Sequence, residues 1–232
     1  MNWLKEKKLR DFNIISIICW AVPIIIAVTL HEAAHGWTAW KLGDDTAYRL
    51  GRVNFNPLRH IDPVGTILIP ALLVVFGTGL IFGWAKPVPV NFSRLGTPRR
   101  DMILVAAAGP FINILLALIS VFALAIVHNN TLNPIIFSLY VSININILLA
   151  IFNLLPIPPL DGGKVLAGFL PFPLAREFLR LERYGLFIII ALIFILPSVA
   201  GMFDVEVSPF DWLVAGPKDF ITSMLFKMVG IL

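Results

Sequence analysis

Residues 31 to 35 read His31-Glu32-Ala33-Ala34-His35. On a helix, residues four apart share a face, so the two imidazoles can close on one metal ion. The glutamate beside them is placed to take a proton from water that the metal has activated. The pentapeptide lies near the end of an apolar stretch that starts at Phe12. Ionisable groups in hydrocarbon are expensive, and where they occur they mark function. Two histidines and a glutamate at metal-ligand spacing in such a stretch therefore predict a zinc hydrolase working within a bilayer.

A catalytic zinc takes three protein ligands and keeps one position open. The strongest candidate for the third is Asp161, which follows Pro156-Ile157-Pro158-Pro159-Leu160 and precedes Gly162-Gly163. Prolines and glycines at this density require an irregular backbone. At membrane depth such a backbone is tolerated only where it lines a cavity or is buried in protein. The competing account of Asp161 is a solvated helix-ending turn. His60 and Asp62 are rival ligands, although Asp62-Pro63 also reads as a helix cap followed by proline at the first helical position. His128, beside Asn129 and Asn130, reads as an interfacial residue.

The elements that must position these groups are membrane segments. Of 232 residues, 58% are hydrophobic and 14% charged, against about 25% charged in a soluble domain. The composition predicts a polytopic all-α membrane protein with one membrane-embedded domain over 1–232. Apolar segments run from Phe12 to Leu42, Val64 to Phe82, Met102 to Val127, Pro134 to Leu155 and Tyr184 to Val199, with a weaker one from Trp212 to Leu232. Five to six membrane segments are thus expected, with a short extended or re-entrant region between the first and third. In Trp84-Ala85-Lys86-Pro87-Val88-Pro89-Val90, the two prolines exclude a central strand but allow an extended edge. Asp101 is placed to cap the segment that follows it.

The net charge of +4 fits basic cytoplasmic loops better than nucleic-acid binding, for which no reading motif is present. The single cysteine, Cys19, excludes an intrachain disulfide and a thiolate metal cluster. Lys5, Lys7, Lys8 and Arg10 precede the first apolar run, but no small-residue cleavage site ends it, so the run reads as a retained span.

The combination of His31-Glu32-Ala33-Ala34-His35, Ala108-Gly109-Pro110-Phe111-Ile112-Asn113 and Asn153-Leu154-Leu155-Pro156-Ile157-Pro158-Pro159-Leu160-Asp161-Gly162-Gly163 resembles the site-2 protease family of intramembrane zinc metalloproteases. The resemblance covers roughly residues 12 to 165, the expected catalytic core. Residues 184 to 232 would be accessory. It implies Zn2+ held by His31, His35 and Asp161, with Glu32 as general base and Asn153 as a hydrogen-bond donor to the oxyanion. It further implies a membrane-anchored protein as substrate, cleaved in the lipid bilayer. The chain looks like a compact prokaryotic member without a PDZ or nucleotide-binding module. A membrane zinc carrier would use the same histidines but would not need Glu32.

His31, His35 and Asp161 each lie toward the C-terminal end of a segment, so the two segments must run in the same direction. That requires an odd number of crossings between them. Val64 to Phe82, the shorter and more broken of the two intervening segments, is therefore expected to be re-entrant or bent. Lys41, Arg49, Arg52, Arg59, Lys86, Arg94, Arg99, Arg100, Lys164, Arg176, Arg180 and Arg183 then fall at the zinc end and put that end in the cytoplasm. The four basic residues before Phe12 point the other way.

Overall fold

The structure is a computed structural model that describes residues 14–75, 83, 85–127 and 134–231. Among these residues it is helical, with no strand. The helices are α1 (Ile14–Lys41), α2 (Thr46–Arg49), α3 (Ile69–Val75), α4 (Pro98–Val127), α5 (Pro134–Asn153), α6 (Asp161–Phe169), α7 (Phe172–Arg180), α8 (Gly185–Ile190), α9 (Leu196–Gly201) and α10 (Gly216–Met228). A wide-turn stretch, Ala191–Ile195, joins α8 to α9.

Among the described residues, four helical stretches are long and apolar enough to cross a membrane: Ile14–Lys41, Pro98–Val127, Pro134–Asn153 and Phe172–Gly201. This is fewer than the five to six segments that hydropathy predicts. Part of the difference lies in Val64 to Phe82. Helix covers 63–75 there, about 20 Å of rise against the ~30 Å of a hydrocarbon core, and residues 76–82 fall outside the described residues. The rest lies at the C-terminal end, where α10 and the wide turn before it carry Asp211, Lys218, Asp219 and Lys227. The outward faces are apolar: Ile15, Ile18, Ile25 and Ile26 on α1, and Phe111, Ile119, Phe122 and Ile126 on α4, are exposed. Lipid accepts such faces and water does not. The protein is an integral membrane protein.

Helices α1, α4 and α5 each pack against the other two. Ala117, Val121 and Leu124 of α4 meet Ile143 and Ile147 of α5, and Phe226 of α10 closes this core. Among the described residues, the one full-length span between α1 and α5 is α4, and the contacts of His31 and His35 with Asp161 place the C-terminal parts of α1 and α5 on the same side.

Local chemistry sets the ends. α1 stops at a left-handed glycine, Gly43 at φ 111°, and the Asp44 N–H returns to the Ala39 carbonyl at 2.9 Å, a closure that satisfies the last carbonyls. Asp44 is fully buried. One of its carboxylate oxygens accepts the Thr46 N–H at 3.0 Å and the Thr46 hydroxyl, and the other accepts the Asn91 N–H at 2.6 Å. The end of α1 is thereby tied to the segment before α4. Asp62 caps Val64 and Gly65 as expected, at 3.0 and 2.7 Å. Asp101 works differently from the expectation. The helix starts earlier, at Pro98, and Asp101 reaches back to the Thr97 N–H at 2.7 Å. Proline suits the first helical position because its missing N–H is not needed there.

Candidate metal centre

His31 is about 15 Å from the C-terminal end of α1 along its axis. Its Nε2 lies 3.1 Å from Nε2 of His35, and Asp161 Oδ2 lies 3.2 Å and 3.3 Å from those two nitrogens. All three side chains are buried. The two histidines share a face of α1. Asp161 enters as the first residue of α6, after the proline-rich turn that ends α5.

Hydrogen bonds fix what each atom offers. His35 Nδ1 stands 2.7 Å from the Val105 carbonyl, an acceptor, so Nδ1 carries the proton and Nε2 the lone pair. His31 Nδ1 is 2.6 Å from Asn113 Oδ1, and the Asn113 amide nitrogen is already committed to Asn146 Oδ1 at 2.8 Å and the Ala27 carbonyl at 3.3 Å. His31 Nε2 therefore also bears a lone pair. Asp161 Oδ2 is buried without a hydrogen-bond donor. Three electron pairs converge on one buried point with no proton between them, an arrangement that a cation stabilises and that is costly without one. Tetrahedral zinc with bonds of about 2.0–2.1 Å would separate its ligand atoms by about 3.3 Å. The residues fit zinc in donor type, protonation and spacing. Among the described residues, this trio is the one group of three such side chains able to share an ion.

The rival ligands lie elsewhere. Asp62 is spent as a cap. His60 is buried, with Nε2 facing the Asn54 carbonyl at 3.3 Å. Burial holds its imidazole below the ordinary 6.5, with Asn54 opposing and the Arg52 charge assisting. His128 is outside the described residues.

Two glycines make the geometry possible. A Cβ on Gly109 would sit 2.4 Å from His35 Nε2 and 2.6 Å from His31 Nε2, so the bare backbone of α4 forms one wall of the site. A Cβ on Gly162 would sit 2.1 Å from the Leu154 carbonyl oxygen, so the start of α6 can press into the turn and bring Asp161 inward only without a side chain there.

Glu32 Oε2 accepts the Val88 N–H at 2.8 Å. The segment 85–91, neither helix nor strand, is held to the protein along its length. The Lys86 N–H donates to the His60 carbonyl at 2.9 Å, and buried Arg52 donates to the Lys86 and Pro87 carbonyls at 2.8 and 3.4 Å. Trp84 lies outside the described residues. Glu32, the metal trio, Asn153 and Lys164 share a cavity of about 660 Å³ that Ala85 to Val90 help to line. Asn153, the last residue of α5, turns its amide nitrogen to the Leu149 carbonyl at 3.0 Å. The roles of Gly109, Asn113 and Val88 escaped the sequence reading. Gly109 and Asn113 stand in the quoted motif, whereas a backbone donor such as Val88 has no side-chain signature.

The model of peptidase family M50 matches residues 124–196. The candidate zinc metalloprotease YwhC of Bacillus subtilis is 39% identical over 185 residues, covering 76% of this chain and 80% of the relative. The candidate zinc metalloprotease Rip2 of Mycobacterium tuberculosis is 29% identical over 183 residues, covering 77% of this chain and 67% of the relative. Rip2 of Mycolicibacterium smegmatis is 25% identical over 206 residues, covering 88% and 77%. No solved structure matches the chain.

Proposed function

The chain belongs to peptidase family M50, the site-2 protease family of intramembrane zinc metalloproteases, and from that premise we propose that His31, His35 and Asp161 hold its zinc and that it cleaves membrane-anchored proteins on the cytoplasmic side. The single observation that carries the ligand assignment is the convergence of two unprotonated Nε2 atoms and an orphaned Asp161 oxygen at 3.1–3.3 Å.

Zinc held there supplies Lewis acidity toward a water molecule and the scissile carbonyl. Glu32 takes the proton of the attacking water and passes it to the leaving amine, a transfer worth roughly 10²–10⁴-fold in rate. The Val88 N–H keeps the carboxylate turned toward that task. Asn153, at the cavity wall, exchanges its bond to Leu149 for one to the oxyanion. The cavity admits water and an unwound stretch of substrate. Substrate pairing along 84–90 has little to use. Pro87 and Pro89 have no N–H, and the N–H groups of Lys86 and Val88 are spent inside the protein.

The cytoplasmic placement is supported by charge. Twelve Lys and Arg residues, from Lys41 to Arg183, lie in the stretches adjoining the zinc end, and Asp204, Glu206 and Asp211 form the opposite acidic loop. The deciding experiment compares wild type with Glu32→Gln on a panel of transmembrane peptides, with products scored by mass spectrometry and zinc measured alongside. The protease reading expects zinc retained and cleavage lost. A Glu32→Gln variant that moves zinc across vesicle membranes at the wild-type rate would establish a carrier instead.

A further inference from the structure

A buried relay of amides runs from helix α5 to the metal site. Asn146 and Asn113 are 1% and 0% exposed. The Asn146 amide nitrogen donates to the Ser142 carbonyl at 2.8 Å and to the Ser142 hydroxyl at 3.3 Å. That hydroxyl is in turn 2.8 Å from Ser120 Oγ on α4. A backbone carbonyl only accepts, so the NH2 end of Asn146 must face it. Its Oδ1 is then left to face Asn113, which must present its own NH2 end there, an orientation that the Ala27 carbonyl on α1 also demands. Asn113 Oδ1 is thereby turned to His31 Nδ1.

Resting on the ligand assignment made above, we infer that Asn146 is a positioning residue for the metal site, acting through Asn113 to select the His31 tautomer that can bind zinc. Asn146 touches neither His31 nor the cavity. Its effect is one of polarity: each amide has a donor end and an acceptor end, and fixing one fixes the next. With Asn113 reversed, its NH2 would face His31 Nδ1, drawing the imidazole proton to Nε2. An N–H would then point at the place where the ion belongs. A merely structural network would be indifferent to this direction. This one starts on a carbonyl that cannot reverse and ends on a ring nitrogen whose protonation decides ligation. Partners of this kind behind a metal-bound histidine change metal affinity by about 10–100-fold when removed.

The test uses the full chain in liposomes and needs no peptide substrate. Zinc affinity is measured by chelator competition for wild type, Asn146→Leu, Asn113→Leu, the double variant and His31→Ala. Ring 15N spectra of the metal-free protein are recorded above the imidazole titration range, and the chain has only 4 histidines to assign. The expected result is zinc affinity about 10-fold weaker in Asn146→Leu, His31 shifting from a single tautomer to a mixture, and a double variant no weaker than Asn113→Leu alone. Where Asn146→Leu fails to insert, Asn146→Ala carries the same comparison. Wild-type affinity and a single His31 tautomer in the Asn146 variants would overturn the inference, whatever happens to thermal stability. So would additive losses in the double variant. If His31→Ala itself binds zinc as wild type does, the ligand assignment and this inference fall together. If only the Asn146 variants do, the assignment stands and the relay alone is refuted.

Discussion

The Val88 N–H meets Glu32 Oε2 at 2.8 Å, so a backbone donor from a segment far along the chain aims the carboxylate beside the histidine pair. A Val88→Pro variant keeps the ring of neighbours but loses that donor. Cleavage should slow by about 10–100-fold, as expected for a reacting group displaced by an ångström or so, while zinc content stays at the wild-type level. Val88→Ala retains the N–H and should cleave near the wild-type rate. Single-turnover cleavage of a transmembrane peptide, with metal analysis on the same samples, checks both.

Gly109→Ala should remove zinc without unfolding the bundle. The added Cβ would lie within 2.4–2.6 Å of the Nε2 atoms of His31 and His35, and alanine favours a helix at this position over glycine by about 1 kcal/mol. The signature is therefore a loss of bound metal with the helical content of the metal-free protein retained. Full zinc occupancy in this variant would show that α4 does not form the wall.

Asp161→Ala takes away the one charged group of the proposed ligand trio and the one contributed by α6. Zinc retained through a chelator wash should fall well below one ion per chain, while the circular dichroism of the four spans is unchanged. Metal retained at wild-type strength would mean that another group completes the site.

Asp44 gives a pH prediction away from the spans. Burial pushes its carboxyl up, but the hydrogen bonds from the Thr46 hydroxyl, the Asn91 N–H and the Thr46 N–H, with help from the Arg94 charge, outweigh burial and hold it below the ordinary 3.8. A carboxyl depressed in the folded state contributes stability above its ordinary value. It loses that contribution as pH falls from there through the folded value. Thermal melting followed below about pH 4 should therefore drop steeply in wild type and less so in Asp44→Ala. At neutral pH the variant should be less stable by about 1–3 kcal/mol, since buried donors are left unpaired. Parallel acid limbs for the two proteins would contradict the assignment.

Much of the centre was readable from residue order because it is written in side chains at fixed spacing. His31 and His35 are a helical pair wherever a helix forms, and the run from Pro156 to Gly163 demands an irregular turn, on which the structure buries Asp161 rather than leaving it in solvent. Asp62 before Pro63 read correctly as a cap. What was not readable depends on contacts between distant segments. Val88 acts through an N–H that every residue except proline has. Gly109 acts through an absent side chain, and only the meeting of α1 with α4 gives that absence a use. Asn113 and Asn146 join α4 to α5 through their amides. Their direction appears only when the Ser142 carbonyl is seen to fix it. The number of membrane segments is legible only in part, because hydropathy does not tell a short or charged helix from one that crosses.

Both imidazoles are anchored through Nδ1 to α4, one by Asn113 and the other by the Val105 carbonyl, whereas the aspartate rides on a separate piece of chain behind the turn at 154–160. Warming should work that turn loose before it separates the long helices. Catalysis would then fade at a lower temperature than the far-ultraviolet signal, leaving a two-pronged grip intact and ready to recover on cooling.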